Sequence, residues 1–143
     1  MLAKVCPNKI IHLFDTFTGM PEVGTYAEYY KEGDFSDTSL QSVKQFLGDC
    51  GNTVFHPGFF PETAVDIKEK RFCLIHVDVD IYQSVKDCLV FFYDRMVPGG
   101  MIIFDDYEWK SCPGVKRAIN EFLAGKKETI FITTRYQCMF LKL

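Results

Sequence analysis

The sequence predicts an α/β fold, a mostly parallel sheet finished by an antiparallel hairpin near the C-terminus. Three observations predict it. Residues 72–107 read as an apolar run ending in acids, an amphipathic segment, and a second apolar run ending in acids. Ile10–Asp15 (IIHLFD) is a further apolar run ending in an acid. Thr129–Thr133 and Gln137–Leu143 are β-rich and joined only by Thr134-Arg135-Tyr136, and so short a connection forces adjacent strands antiparallel.

The elements follow in order. MLAKVC reads as the tail of a helix closed by Pro7-Asn8. Ile10–Asp15 is a buried strand, with His12 read as a satisfied core histidine. Glu22–Asp37 shows no period, and a loop of that length is either functional or a surface excursion whose tyrosines pack back on the core. Thr38–Cys50 is a helix with Leu40, Val43, Phe46 and Leu47 on one face, Asp37 or Thr38 as its cap and Gly51 as its close. Thr53–His56 is a short strand, Pro57–Phe60 a turn, and Pro61–Lys70 a short helix with Pro61 in its first turn.

Cys73–Val77 and Met101–Phe104 are short apolar runs of the kind buried on both faces of a parallel sheet. Between them Val85, Cys88, Leu89, Phe92 and Met96 fall on one helical face, stopped by Pro98-Gly99-Gly100. This is a βαβ unit. Glu108–Cys112 is a polar loop holding the single Trp, Trp109. Pro113–Ala124 is a helix with Val115, Ala118, Ile119, Phe122 and Leu123 inward and Gly125 past its end.

Composition narrows the function. A chain of 143 residues with 14 Phe supports one packed domain. A net charge of −3 argues against a nucleic-acid partner. No run approaches about 18 apolar residues, so no membrane span is expected, and no signal peptide is visible. Six scattered Cys without a CxxC pair read as reduced core thiols of a cytoplasmic protein; Cys73, Cys88 and Cys138 lie in apolar runs.

Parallel strands carry Asp78, Asp80, Asp105 and Asp106 to one sheet edge, the C-terminal one, where open α/β sheets bind ligands. Four carboxylates there repel each other. A cation, outward splay or raised pKa values would relieve this, and hard cations such as Mg²⁺ prefer such oxygens. The alternative is that some of the aspartates only cap the segments that follow. Asp15 ends its own strand, and an acid at the end of the second strand of a nucleotide-binding unit holds ribose hydroxyls.

HVDVDIYQS, then VPGGMIIFDDY after one helix, with FDTFTGMPE upstream, resembles the macrocin-type O-methyltransferases, from about Ile10 to Leu143. The resemblance implies a Rossmann-like methyltransferase sheet that uses S-adenosylmethionine (SAM) and a bound Mg²⁺ or similar divalent cation. The acceptor it implies is a small molecule, methylated on a hydroxyl of a sugar or similar group. Asp78, Asp105 and Asp106 would hold the metal. Asp78 or Asp80 would take the acceptor proton. Asp15, Thr16, Phe17, Gly58, Phe59 and Asp78 would meet SAM, Gly58 allowing close backbone approach and Phe59 lying either against the adenine or in the core. In the related catechol-type enzymes a Lys base follows the first metal Asp by three positions; here Ile81 stands there, which leaves a carboxylate as base.

The family sheet runs 3-2-1-4-5-7-6. The sequence has candidates for every strand but the first, and lacks the Gly-rich turn after it. Residues 1–143 are therefore expected to be a single methyltransferase-like domain shortened at its N-terminal side. Either the chain is a fragment, or strand two fills the gap, or another chain completes the sheet as in a homo-oligomer. The resemblance also implies that these 143 residues alone bind SAM weakly or not at all. Two rival functions stand beside methyl transfer. One is a non-catalytic domain that keeps the core without the cofactor site. The other is a haloacid-dehalogenase-type phosphatase, whose Asp-x-Asp normally runs into a Thr-containing turn that DVDIYQS lacks.

Overall fold

The computed structural model describes residues 2–24, 29–48, 50–134 and 136–143. Of the Glu22–Asp37 loop, Tyr26 lies outside the described residues, as does Arg135 of the C-terminal turn. The chain forms two compact units, Met1–Glu22 with Lys31–Val65, and Val23–Tyr30 with Asp66–Leu143.

In the first unit a short helix α1 (Leu2–Val5) precedes strand β1 (Ile11–Asp15). Helix α2 (Leu40–Leu47) then leads to strand β2 (Thr53–Pro57), which pairs parallel with β1 from Ile11↔Thr53 to Asp15↔Pro57. This is the expected strand–helix–strand crossover. The cap of α2 is Ser39, not Asp37 or Thr38. Its Oγ accepts from Ser42 N–H while Ser39 N–H donates to Ser42 Oγ, both at 3.1 Å, a reciprocal capping box with Ser in the third position. The helix closes at Gly48 (φ 63°) rather than Gly51. Its apolar face is not buried: no residue of α2 is, and Phe46 is 85% exposed. Asn52 ties the N-terminal segment down by donating to the carbonyls of Ala3, Cys6 and Lys9. His12 is part-buried, with Nδ1 2.8 Å from His56 Nε2. Pro61–Lys70 contains a 3₁₀ helix, Glu62–Ile67, with Pro61 just before it.

The second unit holds a four-stranded sheet in the order β3-β4-β6-β5. Strand β3 (Phe72–Val77) pairs parallel with β4 (Met96–Phe104), Leu74↔Met101 through Val77↔Phe104. Strands β5 (Phe131–Thr134) and β6 (Gln137–Leu141) are antiparallel, and β6 also pairs antiparallel with β4. The βαβ unit and the terminal hairpin are thus as the sequence predicts. Helices α3 (Tyr82–Phe92) and α4 (Pro113–Leu123) contact each other. They bury Val85, Leu89, Val115 and Ile119 in one core with Ile102, Phe104 and Phe140, all essentially inaccessible. At about 25 cal/mol per Å² of apolar area, such side chains contribute about 2 kcal/mol each.

Other details of this unit differ from expectation. Helix α3 stops at Phe92, a 3₁₀ turn (Tyr93–Arg95) follows, and Pro98-Gly99-Gly100 lies inside β4 rather than ending a helix. Met96 is buried as its spacing suggested, but from a strand. One residue of β3, Cys73, there faces four of β4, 97–100, and a Cβ on Gly100 would fall 2.8 Å from Val97 O, so the irregularity requires glycine. Strand β3 is also buried on one face only: Ile75 and Val77 point inward while Leu74 and His76 are exposed, and Cys73, at the irregularity, is exposed too. Cys73 is therefore not a core thiol, whereas Cys88, Cys112 and Cys138 are buried; all six are free. No helix among the described residues is long and apolar enough to cross a membrane.

Candidate functional site

The register of β3 and β4 builds the acidic edge. Val77 and Phe104 are partners, and Asp105 N–H donates to Val77 O at 3.0 Å, so both strands release their acids at one level. Asp80 (φ 58°) and Asp106 (φ 59°) both adopt the left-handed backbone conformation. Asp tolerates this better than most residues, and such strain gathers at functional sites. Ile81, 3% exposed, anchors the start of α3 by burial, since no side chain caps that helix.

Asp80, Asp106 and Cys112 bring ligand atoms within 4.8 Å of one another. Cys112 Sγ lies 3.6 Å from Asp80 Oδ1 and 3.5 Å from the Tyr30 hydroxyl. Asp105 is turned to other partners: His76 Nε2 lies 3.0 Å from its Oδ2, and Gln137 Nε2 donates to its Oδ1. The three residues grouped most tightly are thus not the three expected to hold a metal. Asp106 is common to both sets, while Asp78 and Asp105 stand near enough to act on the same electrostatics. Burial, then the charges of Asp105 and Asp106, raise the pKa of Asp78. Burial chiefly raises that of Asp80. Burial, a hydrogen bond with Asp80 and its charge push Asp106 up to about 6. Crowding and burial thus work against full ionisation of this edge.

On the first unit, Asp15 Oδ1 accepts from Phe17 N–H at 2.7 Å, and Phe17 takes a positive φ of 54°. Thr16 Oγ donates to Gly19 O at 2.6 Å. Gly58 N–H donates to Asp15 O at 2.9 Å, so Asp15 and the Gly58 turn share the end of the two-stranded sheet. Gly58 has φ 122°, and a Cβ there would meet Thr63 Cγ2 at 2.9 Å. Phe59 is 40% exposed and so not a core residue. Thr63 Oγ1 is buried without a hydrogen-bond partner.

Sequence reasoning missed Cys112, Tyr30, His76 and Gln137. Antiparallel pairing of Phe104 with Cys138 sets Gln137 opposite Asp105, so the hairpin register carried that signal. Cys112, just before Pro113 at the N-cap, could have been found by asking what an uncapped helix start lies against. Tyr30 offered no periodic signal.

The fold is that of α/β methyltransferases. Solved structures that match nearly the whole chain include the O-methyltransferase NovP (21% identity, TM-score 0.80, 99% of this chain and 65% of that one) and the calicheamicin methyltransferase CalS11 (19%, TM-score 0.83, 98% and 65%). Among curated proteins, an 8-demethyl-8-(2,3-dimethoxy-α-L-rhamnosyl)-tetracenomycin-C 4′-O-methyltransferase of Streptomyces olivaceus is 30% identical over 68% of this chain and 42% of its own. Mycinamicin III 3″-O-methyltransferase of Micromonospora griseorubida is 27% identical over 80% and 49%. The model of the macrocin-O-methyltransferase (TylF) family matches residues 1–134, and the chain belongs to that family. It spans about half the length of the curated relatives it matches. The phosphatase alternative falls with this membership.

Proposed function

We propose that the 143 residues form one methyltransferase-like domain that transfers a methyl group from SAM to a sugar hydroxyl of a small molecule, with help from a divalent cation such as Mg²⁺. The observation that carries this is the paired acidic edge: two parallel neighbours, β3 and β4, end together in four aspartates, and three of these carboxyls have raised pKa values. The all-oxygen donor set of Asp78, Asp105 and Asp106 fits a hard cation. When bound, the cation supplies acceptor orientation and a lowered hydroxyl pKa, and SAM supplies an electrophilic methyl.

The chain's own residues do the rest. Asp78, Asp105 and Asp106 would hold the cation. Asp80 would accept the proton as the acceptor oxygen bonds to the methyl carbon and that carbon's bond to the SAM sulfur breaks, leaving S-adenosylhomocysteine; Asp78 is the alternative base. Asp15 offers its carboxylate to the ribose, and the Thr16–Phe17 turn orients it. Gly58, at φ 122° with Thr63 Cγ2 packed against it, would form the turn beside the cofactor, and Phe59 would give the adenine an exposed ring. Few residues of that unit are buried, so SAM affinity is expected to be low.

The test is transfer of radiolabelled methyl from SAM to methyl α-L-rhamnopyranoside, the sugar type named for the Streptomyces olivaceus relative. Transfer that requires Mg²⁺ and disappears in Asp80→Asn supports the reading. No transfer and no SAM binding at any concentration would select the non-catalytic domain instead.

A further inference from the structure

We propose that Cys112 is a positioning residue for this reaction, its thiol donating to Asp80 and, with the Tyr30 hydroxyl behind it, holding that carboxylate in one orientation for proton transfer. The inference rests on the reading of Asp80 as the base.

The placement is built in. Cys112 is 1% exposed and is the N-cap of α4, yet its side chain makes no capping hydrogen bond. It points at Asp80 Oδ1 instead, at 3.6 Å. The start of α4 cannot drift, because Gly114 lies flush against the start of α3: a Cβ there would fall 2.8 Å from Tyr82 Cβ and 2.9 Å from Tyr82 N. Tyr82 is two residues after Asp80, so this close approach also sets the distance between thiol and carboxylate.

The donor order follows from counting protons. A thiol has one. Asp80, when ionised, only accepts, so that proton points to Asp80. The sulfur can then only accept from Tyr30, whose hydroxyl lies 3.5 Å away. The chain Tyr30 O–H to Cys112 S–H to Asp80 runs in one direction. Burial first, with the charges of Asp80 and Asp106 adding to it, pushes the thiol pKa up to about 12, which keeps Cys112 a donor rather than a nucleophile.

A thiol suits this task because it is weak. An arginine or a row of backbone N–H groups would fix the carboxylate and also stabilise its charged form, draining its basicity. A thiol fixes direction and withdraws little.

The S–H stretch of this thiol tests the contact without any ligand. The infrared difference between wild type and Cys112→Ser isolates one band among six thiols. It should lie below the frequency of unbonded thiols, and Asp80→Asn should move it up without lowering the melting temperature. In the rhamnoside assay Cys112→Ala should lower kcat by about fivefold with KM unchanged, and Cys112→Ser, which keeps a donor, should recover most of it. A Cys112 band at the unbonded position, or one that ignores Asp80→Asn, overturns the proposal even where Asp80→Asn is inactive. A band that responds as expected while Asp80→Asn still transfers methyl shows instead that Asp80 is not the base, and removes the catalytic role of Cys112 with it.

Discussion

In the β3–α3–β4 segment, Val85, Leu89 and Ile102 are all but inaccessible to water. In the β1–α2–β2 segment, α2 buries nothing, and Ala3, Met20 and Ala64 are the buried hydrophobics of its unit among the described residues. Both segments are strand–helix–strand crossovers with parallel pairing, and α2 is the better capped of the two helices. Local signals therefore suffice to draw the crossover, but they do not supply the partner surface that stabilises it. The acidic edge stands on the buried segment, and the Asp15–Gly58 edge stands on the other.

The largest expected effect breaks or confirms that contrast directly. Leu89→Ala empties a fully buried position and should cost about 2–5 kcal/mol in denaturant unfolding. Phe46→Ala, an equally apolar position on α2, should change stability by no more than about 0.5 kcal/mol. Comparable losses at both sites would mean that α2 is covered in solution.

A smaller effect concerns the clip at the chain end. Lys142 Nζ lies 3.0 Å from the buried Glu128. Burial opposes ionisation of Glu128, but hydrogen bonds from Lys142, Tyr93 and backbone outweigh it and hold its pKa at about 2. The folded pKa is thus below the unfolded one of 4.5, so the clip stabilises the fold above that value. That stability should drain away as pH falls from 4.5 toward about 2. Melting temperatures of Glu128→Gln should lack this part of the acid slope, while an unchanged slope would remove the clip from the account.

The smallest effect sharpens the contrast. Ser39→Ala deletes the capping box and should destabilise α2 by about 1 kcal/mol. Hydrogen exchange should show the loss confined to Leu40–Leu47, with α3 amides unaffected, because an unburied helix opens locally.

The central βαβ segment was legible because runs ending in acids, helical spacing and turn residues agreed. Where the reading slipped, one pattern served two structures. Met96 fits the helical face of Val85–Phe92 and is buried, but a residue can be buried from a strand as well as from a helix, and Pro98 sets only an outer limit on where the helix ends. Leu74 sits in an apolar run and is exposed, since an apolar run does not say whether anything covers its second face, and Cys73 is exposed at the register irregularity. Of the site, the four aspartates could be placed from strand direction alone. The turn of Asp105 toward His76 and Gln137, and the approach of Cys112 to Asp80, depend on which side chains meet across β3, β4, β6 and α4, and sequence spacing does not encode that.

Calorimetric titration of Mg²⁺ into the chain tests the central claim, that the acidic edge is a cation site. Asp106 has its pKa raised to about 6, so it would be available as a ligand above that value and protonated below it. The account predicts saturable binding with one ion per chain above about pH 6, weakening below it and lost in Asp106→Asn and Asp78→Asn. Binding that is indifferent to both substitutions, or that strengthens as pH falls, would contradict it.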